Sequence, residues 1–157
     1  MPSFCLSLGR TEVLDEIIKD ENLPELKEKK LREIISDKSE SDLIEWSDTN
    51  KVDKKSLGKI ITLMHSYGDI QCLEKISSFS KLAKNSVENL KAITEKISHE
   101  NIHIDMTDFP GFNYHQGLVF SVHSQNFGFA IANGGQYSYQ KNSEEKRSAI
   151  GFDIDLI

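Results

Sequence analysis

The chain has 157 residues, a length suited to one domain at roughly 100–200 residues per domain. Its 38% hydrophobic and 28% charged residues can support a packed core, which excludes global disorder, and no apolar run is long enough for a transmembrane helix. The balance of 19 basic and 25 acidic side chains, 19 − 25 = −6, argues against a general nucleic-acid backbone binder.

The first ten residues, Met-Pro-Ser-Phe-Cys-Leu-Ser-Leu-Gly-Arg, lack the basic and long apolar stretches of a signal peptide. Cys5 and Cys72 do not make a disulfide framework and fit reduced thiols in a cytoplasm. Residues 3–8 alternate Phe4, Leu6 and Leu8 against Ser3, Cys5 and Ser7, which predicts a short strand ended by Gly9. Thr11 and Glu12 with Val13, Leu14, Ile17 and Ile18 then mark a helix. Asn22 and Pro24 break it, and Pro24 opens the next one. Leu26, Leu31, Ile34 and Ile35 form the apolar stripe of that second helix, and the Lys27–Lys30 run reads as its solvated face.

Residues 41–46 read as a short helix with Trp46 as a packing anchor. Asp53 or Ser56 starts a further helix carrying Leu57, Ile60, Ile61, Leu63 and Met64, with Gly68 at its C-cap. Asp69 caps a short helix with Ile70, Leu73 and Ile76, and Cys72 lies in its apolar stripe. Residues 80–98 hold the longest helical pattern, through Leu82, Val87, Leu90, Ile93 and Ile97.

After Asn101 the period changes to two. Ile102, Ile104 and Met106 alternate with His103 and Asp105, a loop holds Pro110 and Gly111, and Leu118–Val122 and Phe127–Ala132 read as strands. Gly134-Gly135 reads as a turn, residues 140–147 as a polar loop and 149–157 as a last apolar stretch. The expected class is α+β, with helices through most of 10–99 and a sheet from 3–8, 101–106, 116–123, 127–133 and 148–155. A chain that opens near a strand and stops on Asp-Leu-Ile reads as the later part of a larger fold. His99 and His103 are four apart across the break at Asn101, and no CxxC, HExxH, P-loop, GxGxxG or Ser-His-Asp spacing is present, so no metal, catalytic residue or cofactor is expected.

Three segments carry a resemblance: Asp105-Met-Thr-Asp-Phe-Pro-Gly-Phe-Asn-Tyr-His-Gln-Gly-Leu-Val-Phe120, Ile131-Ala-Asn-Gly-Gly-Gln-Tyr137, and the stretch from Ala149 through Gly-Phe-Asp-Ile-Asp to Leu156. In this order they resemble the later half of the histidyl-tRNA synthetase-like catalytic fold. Tyr-His-x-Gly-Leu-Val-Phe and the final Gly-Phe-x-x-Asp-Leu are most similar to its non-ligating branch, the ATP phosphoribosyltransferase regulatory subunits of histidine biosynthesis. The resemblance implies a single partial class II aminoacyl-tRNA synthetase-like domain over 1–157, with a helical insertion at about 10–99 and a mostly antiparallel main sheet at about 101–157. It also implies that the N-terminal half of that fold lies elsewhere, so that the chain is a cut piece, a split-gene product or a remnant.

In the synthetases the first segment reads Arg-Gly-Leu-Asp-Tyr-Tyr-Thr-Gly. Here Pro110 stands at the arginine, Asn113 at the aspartate, His115 at the second tyrosine and Gln116 at the threonine. Proline cannot stabilise the negative charge of amino-acid activation, which opposes aminoacylation. Gln136 replaces the arginine of the family's Gly-Gly-Arg-Tyr, and Ser138 replaces an aspartate. The resemblance makes Tyr114, His115, Gly134, Gly135, Gln136 and Tyr137 the ligand-binding set for a histidine-like molecule, against a plain reading of Tyr114 as strand packing and of the glycines as a tight turn. It implies a cytoplasmic, oligomeric, non-enzymatic partner of the short-form ATP phosphoribosyltransferase catalytic subunit, with histidine as a ligand and neither membrane nor nucleic acid bound. Two other readings stay open: a fragment of a histidyl-tRNA synthetase, which Pro110 and Gln136 oppose, and a decayed remnant without activity.

Overall fold

The computed structural model of the chain describes residues 3–98, 101–108, 116–142 and 145–155. Along the chain come β1 (Phe4–Arg10), α1 (Glu12–Asp20), α2 (Glu25–Ser36), α3 (Glu40–Asn50), α4 (Lys54–Met64), β2 (Tyr67–Gly68), 3₁₀ turns at Ile70–Leu73 and Ile76–Ser78, α5 (Lys81–Lys96), β3 (Ile102–Asp105), β4 (Leu118–Ser124), β5 (Ala130–Asn142) and β6 (Glu145–Ile154). The strands form one six-stranded sheet among the described residues, in the order β2-β3-β1-β4-β5-β6. Every pairing is antiparallel except β1 with β3. That parallel pair requires a crossover, and the helices between β1 and β3 supply it.

Local chemistry explains most element starts. The Asp53 carboxylate accepts from the Lys55 and Ser56 amides, Asp69 accepts from Gln71, and Ser80 accepts from Ala83. Each satisfies an orphan donor at a helical N-terminus. Val13, Leu14, Ile17, Ile18, Leu31, Ile34, Ile35, Ile60, Leu63, Val87 and Leu90 are buried together with Leu8 and Ile104 of the sheet, so the helical stripes and the apolar sheet face form one core. Trp46 packs at the edge of that core.

Six sequence expectations need correction. The strand expected from Phe127 to Ala132 begins only at Ala130, after a turn at Gln125 and Asn126. β1 runs on through Gly9 to Arg10, because a Cβ at residue 9 would collide with the Asp105 carbonyl and glycine lets β3 come close. Gly68 caps no helix: α4 ends at Met64 with His65 as its cap, and Gly68 sits in β2 at φ 116°. Leu26 lies outside the apolar stripe and is 83% exposed on the first turn of α2. Gly134-Gly135 is no turn but the interior of β5, paired with Phe120 and Val119 on one side and with Phe152 and Gly151 on the other. The polar stretch 140–147 is largely the junction of two strands, since β5 reaches Asn142 and β6 begins at Glu145.

Two further contacts pin the crossover. The Lys38 ammonium donates to Asp105 Oδ1 and to Thr107 Oγ1, both at 2.9 Å, and lies 5.6 Å from the centre of the Tyr67 ring. Asp105 is buried, so this cation at the end of α2 holds the last residue of β3 in place. Burial, reinforced by the nearby Asp69 and Asp105 carboxylates, pushes the Cys72 thiol up to about 11. That keeps it a neutral packing group at physiological pH.

The glycine at 134 is a packing requirement. A Cβ there would run into the end of the Phe120 ring, and would lie 2.6 Å from the Gly151 carbonyl oxygen and 2.8 Å from the Phe152 Cβ. Gly134→Ala is therefore expected to destabilise the protein by about 1–3 kcal/mol, the range for overpacking a tight site. Urea unfolding checks this, and an unchanged midpoint contradicts the packing.

Candidate functional site

Strand alternation decides what the glycine-containing segment of β5 can present. Directly paired residues of antiparallel strands face the same side of the sheet. The row Leu8–Phe120–Gly134–Phe152 crosses β1, β4, β5 and β6 on the apolar face that meets the helices. The row of Val119, Gly135 and Gly151 lies on the opposite face. Gln136 accordingly shares a face with Gly134, and Tyr137 shares one with Gly135. Tyr114 and His115 lie outside the described residues, as do Pro110 and Asn113. The four described members of the expected ligand set thus divide two and two, and no single cavity in the strand takes all four.

On the opposite face the chain builds a flat, polar strip. Ser7, Ser121, Asn133 and Asp153 are paired in one row across four strands. Ser121 Oγ and His123 Nε2 share a hydrogen bond of 2.8 Å, and His123 pairs with Cys5 across β1 and β4. Next to this row pair Gly135, which is buried, and Gly151, which is half-buried. The Tyr137 ring stands at its rim: a Cβ on Gly151 would be 3.2 Å from Tyr137 Cε1, and Tyr137 is 40% exposed. Backbone without side chains, flanked by hydroxyl, amide and imidazole groups and an aromatic rim, suits a small polar ligand with a flat ring. The alternation of β4, Leu118-Val-Phe-Ser-Val-His-Ser124, signals Ser121 and His123, which sequence reasoning passed over.

Gln136 points instead into a cleft of about 360 Å³ between the end of β1, the start of α1 and the start of β4. Its Nε2 donates to Ser148 Oγ at 2.7 Å, and its Oε1 accepts from the Leu118 amide at 3.5 Å. Gly117 passes beside it at φ 112°, where a Cβ would be 2.6 Å from Gln136 Oε1. Here glycine is needed on both counts, the backbone angle and the space.

Thr11 anchors this cleft. Its amide donates to the Gly117 carbonyl at 2.9 Å, and its Oγ1 accepts from the Gly117 amide at 2.9 Å. The hydroxyl that sequence reasoning placed near a helix start makes no cap bond to α1 and is used across the fold instead. One residue earlier, the Gln116 amide donates to the Gln136 carbonyl at 2.7 Å, and Ser138 Oγ donates to Gln116 Oε1 at 2.7 Å. Gln116 is therefore tied to β5 through both its backbone and its side chain.

Arg10 is the cleft's cation. Its Nε donates to Glu12 Oε1 at 2.5 Å, and its Nη1 donates to Asn89 Oδ1 on α5. Glu12 also accepts from Ser86 Oγ at 2.7 Å, and Asp15 at the cleft wall pairs with Arg32 at 2.7 Å. Among the cleft's lining residues one guanidinium faces two carboxylates, those of Glu12 and Asp15. That balance does not favour a phosphate or an acyl-adenylate anion. No group of three or more metal-ligating side chains occurs among the described residues.

The geometry has counterparts among known proteins. The sequence is similar to an ATP phosphoribosyltransferase regulatory subunit from Clostridium kluyveri, 28% identical over 99% of this chain and 42% of that protein. In solved structures the fold resembles an ATP phosphoribosyltransferase regulatory subunit/histidyl-tRNA synthetase from Bacillus halodurans, with a TM-score of 0.79 at 17% identity over 97% of this chain and 42% of that one. It also resembles a chain of the ATP phosphoribosyl transferase (HisG:HisZ) complex from Thermotoga maritima, with a TM-score of 0.73 at 18% identity over 98% of this chain and 54% of that one. The chain thus spans less than half the length of the curated relative. These likenesses establish a class II synthetase-like α+β fold built on a mostly antiparallel sheet. A family model described as histidyl-tRNA synthetase matches residues 1–157, and the chain belongs to that family.

Proposed function

We propose that this chain serves as a non-catalytic regulatory subunit of ATP phosphoribosyltransferase in histidine biosynthesis, acting on a short-form catalytic subunit in the cytoplasm. The observation that carries this reading is the likeness to a curated regulatory subunit along 99% of the chain. The site chemistry supports it. Gln136, at the position where the resemblance places an arginine, is hydrogen-bonded to Ser148 and Leu118, and the cleft beside it carries more carboxylate than guanidinium. Adenylate formation needs preorganised positive charge, which this cleft does not offer.

Regulation requires only that a ligand or partner bind two states unequally. The strip on the opposite face is the ligand surface in this reading. Gly135 lies beneath it and Tyr137 stands at its rim, and Tyr114 and His115 complete the ligand set that the resemblance implies. Gly134 and Gln136 act behind it, the first by close packing and the second by tying β5 to β4 and β6. Histidine, an imidazole with a zwitterionic head, matches a glycine-containing strip with polar neighbours and an aromatic edge.

Three outcomes are expected. Mixed with a short-form catalytic chain, the protein co-elutes with it and changes its turnover or its inhibition by histidine. A catalytic chain that elutes alone, with unchanged activity and unchanged histidine sensitivity, refutes the regulatory role. With ATP, histidine and cognate tRNA the protein gives no pyrophosphate exchange, and histidine-dependent exchange above background would restore the synthetase-fragment reading. In calorimetry histidine binds to the protein. Gly135→Val and Tyr137→Ala abolish that heat and Gln136→Ala leaves it intact, whereas equal heats in all four proteins rule out this face as the site.

A further inference from the structure

Lys38 stands where a helix end ordinarily takes glycine. It follows α2 at φ 54°, in the left-handed region. The Ser39 amide donates to the Ile34 carbonyl and the Lys38 amide to the Ile35 carbonyl, the hydrogen-bond pattern of a helix closed by a left-handed residue. A side chain in that conformation is sterically disfavoured, and glycine escapes the penalty. Lys51, just after α3, has nearly the same backbone at φ 57°, yet its ammonium makes no hydrogen bond or ion pair among the described residues.

The Lys38 side chain is fully engaged. Its Nζ lies 2.9 Å from both Asp105 Oδ1 and Thr107 Oγ1 and faces the Tyr67 ring, so a carboxylate, a hydroxyl and an aromatic face surround it. Asp105 Oδ1 is itself the centre of a tight turn. It accepts from the Thr107 amide at 3.0 Å and from the Asp108 amide at 3.2 Å. The Asp105 side chain is 10% exposed, and Lys38 is the only cation paired with it among the described residues. Without that cation a nearly buried carboxylate would be held by the turn alone.

The two ends of this contact belong to different parts of the fold. Lys38 and Ser39 form the corner between α2 and α3, whereas residues 105–108 lead from β3 towards Pro110–Gln116, which carries the family motif. We propose that Lys38 is a positioning residue: through Asp105 it makes the α2–α3 corner and the turn at 105–108 one conformational unit, so that the helical layer biases the chain that enters the ligand set. The step from turn to ligand rests on the regulatory reading above, while the step from Lys38 to turn does not.

Residue-resolved amide exchange on the full chain, with histidine calorimetry beside it, tests both steps. In Lys38→Met and Lys38→Gly the Thr107 and Asp108 amides exchange about ten-fold faster or more, the scale of one hydrogen bond to a charged group. They rise more than Val87 and Leu90 in α5 do. Lys38→Arg, which keeps the cation, restores most of the protection, and Lys51→Gly leaves both amides unchanged. Wild-type rates at Thr107 and Asp108 in Lys38→Gly overturn the proposal. So does a rise shared equally by α5, which is ordinary destabilisation, or a Lys38→Arg that protects no better than Lys38→Met. Histidine binds Lys38→Met about ten-fold more weakly than wild type and binds Lys51→Gly equally well, and an unchanged affinity in Lys38→Met overturns the step from turn to ligand. A wild type that binds no histidine counts against the regulatory reading instead, and the exchange rates then decide the role of Lys38 by themselves.

Discussion

β1 is the strand through which the two ends of the chain hold each other. Phe4–Arg10 pairs residue by residue with β4 and, on its other side, takes β3 in parallel. Closing a loop of about a hundred residues costs conformational entropy, though only logarithmically in its length. The closure is secured by the reciprocal bonds of Thr11 with Gly117, which seal β1 to β4 where the helical segment leaves the sheet. It is secured again where Lys38 holds Asp105 at the end of β3. The helices between them are folded against Leu8 and Ile104, so their position depends on this pairing.

The chemistry of the sheet follows from its period. In β5 a pair of glycines sits where four strands meet in register, and the two residues serve different faces. Gly134 is a packing residue, demanded by Phe120 and Phe152. Gly135 is buried and lies on the face of the polar strip. A family motif of consecutive residues is thereby divided between the two faces of the sheet, and Gln136 and Tyr137 repeat the division.

Charge placement then limits what the protein can do. Arg10 is shared between Glu12 and Asn89, and Asp15 is held by Arg32, so the charges around the cleft at Gln136 are bound to one another. Such a network holds α1 and α5 against the end of β1.

The sequence by itself determined the α+β class, the helical periods from Val13 to Ile97, the change to period two after Asn101, and the cap at Asp69, and it narrowed the start of α4 to Asp53 or Ser56. These are legible because hydrophobic period and capping chemistry act within a few residues of the chain. The residues of the candidate site were legible only as a motif. That Gly134-Gly135 is strand and not turn depends on Phe120 and Phe152, and a local glycine preference carries no information about either. That Thr11 bonds Gly117 rather than capping α1 depends on a partner 106 residues away. Which face Gly135 and Tyr137 share, and which side Arg10 occupies, was decided by strand register alone, because register is a property of pairs of segments and is written in neither segment by itself.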